Sequence, residues 1–112
     1  MAIEIAAAKF DWDEGNRAKC GKHGVSTAEV ETVFRGSLAV FPAPTYRSAE
    51  ERFKAIGIGE NGRRVFVVFT LRVQRDELLI RPISARYMHA KEVEHYERQT
   101  AETQKAAEAE KR

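Results

Sequence analysis

Three short stretches, far apart along the 112-residue chain, carry the residue types that phosphodiester chemistry needs. Lys22-His23-Gly24 lies early, Glu51-Arg52-Phe53 near the middle, and Ser84-Ala85-Arg86-Tyr87 late. In metal-independent RNA cleavage the substrate's own 2′-OH attacks the adjacent phosphorus. The protein must then supply a proton acceptor, a proton donor and fixed positive charge where the phosphorane gains negative charge. Imidazole is the side chain suited to exchange a proton near neutral pH, which points to His23. Arg52 and Arg86 would hold phosphate oxygens in their planar forks, and Lys22 would add charge. Each has a plain structural alternative. His23 would complement the carboxyl end of a helix. Arg52 would pair with Glu50 or Glu51, and Arg86 would cap the start of the last helix.

Other chemistries find less support. Asp11, Asp13 and Glu14 form the densest carboxylate group. Two aspartates at i and i+2 could share a cation, but a helix cap and its neighbour explain them more simply. His23, His89 and His95 show no H-x-x-x-H spacing. Cys20 is the single cysteine, which excludes an internal disulfide and a Cys-rich zinc site. As a nucleophile Cys20 would need a base, with His23 three residues on; a small buried thiol is the commoner outcome. The Gly57–Gly62 stretch, G-I-G-E-N-G, joins two strands instead of opening a helix, so it is no nucleotide cradle. The expectation is therefore an active site without metal or organic cofactor.

The charge distribution supports an anionic partner. Lys and Arg total 19 against 17 Asp and Glu, a balance of +2. Residues 47–91 carry 10 basic and 5 acidic side chains, and eight of those cations are Arg (47, 52, 63, 64, 72, 75, 81 and 86). The chain has room for one domain. No run of 18 apolar residues is present, so no membrane span is expected. MAIEIAAAKF has no secretory pattern, which suggests a cytoplasmic protein.

The elements that must position these residues follow from periodicity. Lys9–Trp12 alternates as a short strand. Asp13 caps a helix that ends at Lys22–His23, with Gly24 as its stop. Ser26 and Glu29 form an S-x-x-E capping box, and Val25 and Val30 a hydrophobic staple, for a helix over 27–35 stopped by Gly36. Leu38–Phe41 reads as a strand closed by Pro42 and Pro44, and Tyr46–Glu50 as a polar loop. Glu51–Ile58, Arg63–Val73 and Glu77–Ser84 read as an antiparallel meander. Asn61-Gly62 would centre a type I′ turn, and Pro82 would sit at a bulge or open edge. A helix starts near His89, with Ala90, Val93 and Tyr96 on one face. Residues 99–112 form a charged Ala/Glu-rich tail, either a helical extension or disordered. The order β-α-α-β-β-β-β-α makes the class α+β, with a mostly antiparallel sheet packed by helices.

Taken together, Trp12-Asp13-Glu14, Lys22-His23-Gly24-Val25-Ser26, Glu51-Arg52-Phe53 and Ile83-Ser84-Ala85-Arg86 resemble the BrnT family of toxins from type II toxin–antitoxin systems. The likeness spans about residues 9–97, within a single domain at 1–98. It implies a RelE-like toxin fold and a ribonuclease that blocks translation. It also implies a BrnA-like antitoxin with a ribbon-helix-helix domain, assembled with the toxin as a heterotetramer in which operator DNA is contacted only through the antitoxin. His23, Arg52 and Arg86 carry over as catalytic or phosphate-holding positions. Lys22, Arg64, Arg81 and Tyr87 are expected to contact RNA. Trp12 is expected to anchor the core.

Two rival readings come from other classes. A non-catalytic module of the same fold would bind nucleic acid or protein through the Arg-rich sheet. A lone transcriptional regulator fits worst: helix 27–35 carries Glu29 and Glu31 where a major-groove helix wants cations and amides.

Overall fold

The computed structural model describes residues 8–43 and 50–110, with side chains of the last helix as far as Glu102. Its elements are β1 (Lys9–Phe10), α1 (Glu14–Gly21), α2 (Thr27–Arg35), β2 (Ala39–Pro42), β3 (Phe53–Ile58), β4 (Arg64–Gln74), β5 (Glu77–Tyr87) and α3 (Ala90–Glu110). The class is α+β and the order is the expected one. The five strands form one sheet in the order β1-β5-β4-β3-β2. β1 runs parallel to β5, and every other pairing is antiparallel.

Alternation along β4 builds the core. Val65, Val67 and Phe69 are buried on one face, with Leu71 packed at its margin. The register sets Ala55 and Ala85 on either side of Val67. Val30, Val33 and Phe34, the apolar stripe of α2, cover this face. Phe34 meets Phe69 edge-on at 4.9 Å and Phe10 at 5.7 Å. Burying each such ring contributes roughly 1.5–3 kcal/mol. The opposite face of the same strands carries Phe66, Arg81 and Arg86, because side chains alternate.

Several local expectations need correction. β1 is two residues long, and the strand pairing ends where Asp11 N donates to Ile80 O at 2.8 Å. β5 runs on to Tyr87, three residues past the expected end, because Ala85 and Tyr87 continue the core-facing alternation against Val67 and Val65. Ser26 Oγ accepts from Glu29 N at 3.1 Å, but the Glu29 carboxylate does not return the bond. It is buried (6 % exposed) and accepts from Tyr87 Oη instead, so the box is half-formed. Val25 and Val30, the staple pair, are both buried.

The turns also differ. Asn61 has no positive φ, and Gly62 alone in that loop does (+77°), so the β3–β4 connection is not type I′. The two-residue turn that does take positive φ at both positions is Arg75–Asp76 (51° and 63°), between the paired Gln74 and Glu77. Strand length decided this: β4 and β5 pair to their very ends, which leaves two residues to reverse the chain. Pro82 lies where the register slips between Val68 and Phe69, at the expected bulge. The polar loop at 46–49 and Pro44 lie outside the described residues.

Candidate active-site cleft

α1 holds His23 near the sheet, and its anchoring is local. Asp13 is the N-cap, and its carboxylate accepts from Asn16 N at 3.0 Å while Asn16 Oδ1 accepts from Asp13 N at 2.7 Å. Asn16 is 4 % exposed and its Nδ2 donates to Asp11 O and Pro82 O, both at 2.9 Å. That amide fastens α1 to the edge of β5 past the end of β1. The helix closes with Lys22 as C-cap, and Gly24 turns the chain with φ +84°. His23 stands exposed in this turn.

His23 shares a cleft of about 340 Å³ with Arg63, Arg86, Tyr87, Met88 and His89. Arg86 is the next-to-last residue of β5, paired with Phe66, and lies over the Phe66 ring at 4.8 Å. Its guanidinium is gripped by Glu92 of α3 in two parallel bonds, at 2.8 and 2.9 Å. Glu92 also accepts from His89 N at 3.0 Å, which caps the start of α3. The Arg86 fork, with help from the His89 amide, holds the Glu92 carboxyl down at about 2. The same pair raises Arg86. Arg63 sits over the Tyr87 ring at 3.7 Å. The Tyr87 hydroxyl is raised chiefly because it donates to the Glu29 carboxylate.

The structure does not bring Arg52 to this cleft. Arg52 lines a second one of about 730 Å³ with Lys19, Glu50, Arg72, Arg81 and the first turn of α1. Phe53 pairs with Phe69, so Arg52 falls beside Thr70, whereas Arg86 lies beside Phe66. Four residues of strand separate the two levels, about 13 Å. Two of the four cations of the second cleft are already matched. Arg81 pairs with Asp13 at 2.7 Å and Asp11 at 3.4 Å, and Arg72 with Glu50 at 3.3 Å. The Asn16 backbone N–H and Arg81 together lower the Asp13 carboxyl, and Asp13 raises Arg81. Lys19 and Arg52 stand outside these pairs, and the buried Arg52 Nε has no hydrogen-bond partner among the described residues.

The remaining expected contacts are dispersed. Arg64 lies in a groove against α3, paired with Glu97 at 3.6 Å and 5.5 Å from the Tyr96 ring. Lys22 is exposed at the end of α1. Trp12 is packed at the margin of the core and donates to Glu31 at 3.0 Å. Cys20 is fully buried, which pushes its thiol up to about 11 and leaves no route for a substrate. Among the described residues no group of three or more His, Cys, Asp or Glu is placed to hold a metal ion.

Arg63, His89 and Glu92 were missed by sequence reasoning, as was the anchoring by Asn16. A signal existed for two of them: Arg86, His89 and Glu92 recur every three residues across the strand–helix junction. Asn16, three residues after Asp13, was readable as the partner in a capping box.

The sequence model of a family described as "Ribonuclease toxin, BrnT, of type II toxin-antitoxin system" matches residues 12–92. The chain belongs to the BrnT family. The match includes α1, the whole sheet from β2 to β5 and the first turn of α3, so both clefts lie within it. No curated protein matches the chain. A BrnT protein is the toxin of a type II pair and so has an antitoxin as its partner. Among the described residues no helix is long and apolar enough to cross a membrane.

Proposed function

We propose that this BrnT toxin cuts RNA internally without a metal ion, in the cleft that joins His23 to Arg86. The convergence of His23, Arg63 and Arg86 from the turn after α1, the β3–β4 loop and β5 is the observation that carries the reading. The 2′-oxygen attacks phosphorus, the P–O5′ bond breaks, and a 2′,3′-cyclic phosphate and a 5′-OH result. His23 moves one of the two protons. Arg86 and Arg63 stabilise the equatorial oxygens of the phosphorane, where fixed cations act best. Arg52 and Lys19, about 13 Å along the strands, hold a flanking phosphate of the same RNA strand. Tyr87 lines the scissile cleft and Lys22 precedes His23 in the chain, while Arg64 and Arg81, like Arg86, reach RNA by exchanging a carboxylate for a phosphate.

In the cell this activity would stop translation in the cytoplasm. A BrnA-like antitoxin with a ribbon-helix-helix domain would neutralise it in a heterotetramer and supply all contacts to operator DNA.

The test is end-group analysis of RNA cut by the purified protein. Cyclic phosphate ends are expected, with cleavage unaffected by EDTA and blocked by a single 2′-deoxy substitution at the cut site. Arg86→Ala should lower the rate by about 10²–10³-fold, the usual loss for one transition-state donor. Products with 3′-OH ends, or an Arg86→Ala variant as active as the parent, would refute the assignment. The bidentate Arg86–Glu92 pair favours a second reading, a non-catalytic module in which Arg86 is a strut for α3. In that case expression leaves translation untouched, and His23→Gln changes nothing.

A further inference from the structure

We propose that His89 is the second proton-transfer residue of the cleft and works with His23 as an acid–base pair. The inference rests on the ribonuclease reading and supplies what that reading leaves open. Cleavage moves two protons, one off the 2′-OH and one onto O5′, and a single imidazole cannot be base and acid in the same step. His89 and His23 line one cleft, from opposite sides of the chain's fold: one in the turn after α1, the other at the junction of β5 and α3.

The capping role of His89 does not use its ring. The backbone N–H donates to Glu92, and among the described residues no hydrogen bond engages the imidazole. The ring is exposed in the cleft and free to reach a substrate oxygen. The charged and titratable groups facing it are His23, Arg63, Arg86, Tyr87 and Glu92. The two guanidinium groups that would hold the phosphorane charge line the same cleft as the two rings. The balance closes without another reactant. One imidazole takes the 2′-OH proton as the P–O2′ bond forms. The other, protonated, gives its proton to O5′ as P–O5′ breaks, and solvent resets both.

The experiment uses the full chain and an oligoribonucleotide spanning a cut site mapped with the parent protein. His89→Gln and His23→Gln are each expected to lose about 10²–10⁴-fold in rate. His95→Gln, the third imidazole and outside both clefts, controls for the loss of any histidine and should match the parent. A second substrate carries sulfur in place of the bridging O5′, a leaving group that needs no proton. It should restore one of the two slow variants and only one, which identifies the acid. A His89→Gln protein that cuts ordinary RNA at the parent rate overturns the inference and leaves the ribonuclease reading standing. Rescue of both variants, or of neither, overturns the pairing. A parent protein that cuts no RNA brings down the underlying reading itself, a result distinct from both.

Discussion

Replacing Asn16 by Ala removes three hydrogen bonds in one stroke and strands two carbonyl oxygens. The amide donates to Asp11 O and Pro82 O and accepts from Asp13 N, at 2.7–2.9 Å. Each bond contributes about 1 kcal/mol net, and the buried Pro82 carbonyl left without a donor costs about 1 kcal/mol more. The better helix propensity of Ala returns about 0.6 kcal/mol. The expected loss is therefore about 3 kcal/mol, a fall in Tm of about 12 °C for a domain of this size. Urea unfolding followed by circular dichroism measures the first, and thermal melting the second. Asn16→Asp separates the anchor from the cap. Asp keeps the acceptor for Asp13 N but turns a carboxylate toward two carbonyls, so it should be no better than Ala. A loss under 0.5 kcal/mol, or an Asp variant close to the parent, would refute the view that this amide fastens α1 to β5.

Glu92→Gln should strengthen RNA binding, seen as a lower Kd in filter binding, because it releases Arg86 from a competing anion. The Glu92 carboxyl is held below its ordinary 4.5, so its pairing stabilises the fold fully above about pH 4.5 and is lost as pH falls toward 2. The variant should accordingly show a shallower decline of stability across that window in acid titrations. Writing Asn-Gly at Arg75–Asp76 should raise stability by about 1–2 kcal/mol, since both residues now sit at positive φ with a side chain to accommodate. Equilibrium unfolding would show it, and no gain would mean the turn is unstrained. The salt dependence of RNA binding should be shallow, with a log–log slope of about −2, corresponding to roughly three phosphates neutralised on a single strand. A slope near −5 would show that the paired Arg64, Arg72 and Arg81 also engage RNA.

The element order was legible because apolar spacing is a local property. Val65, Val67, Phe69 and Leu71 announce β4, and Val30, Val33 and Phe34 announce α2, whatever else surrounds them. What failed depended on partners distant in sequence. Glu29 looked like a capping residue because Ser26 stands three before it, yet a tyrosine 58 residues away took its carboxylate. Asn61-Gly62 is the stronger turn signal, but turn type follows from how far the flanking strands pair, which the dipeptide does not encode. The clefts were half legible. His23 and Arg86 were singled out from chemistry, and they do line one cleft. Arg52 was grouped with them by type, and only the register shows that it sits four residues away along the sheet.

Charge makes the same point at the scale of the whole molecule. The middle of the chain carries a surplus of five positive charges, while the segments before and after it are slightly acidic. Folding brings those outer segments onto the middle. Asp11 and Asp13 from the first turn of the chain meet Arg81, and Glu92 and Glu97 of α3 meet Arg86 and Arg64. Four arginines of that basic stretch, 64, 72, 81 and 86, are therefore held in ion pairs in space, while Arg52 and Arg63 of the two clefts are not. That outcome suits a cutting site better than a broad binding face. An evenly cationic sheet would hold RNA tightly in every register, with equal affinity for ground and transition states, and such uniform binding does not accelerate the chemical step. In the proposed mechanism, Lys19 and Arg52 in one cleft would position the strand while Arg63 in the other, about 13 Å along the strands, would meet charge that appears only as phosphorus is attacked.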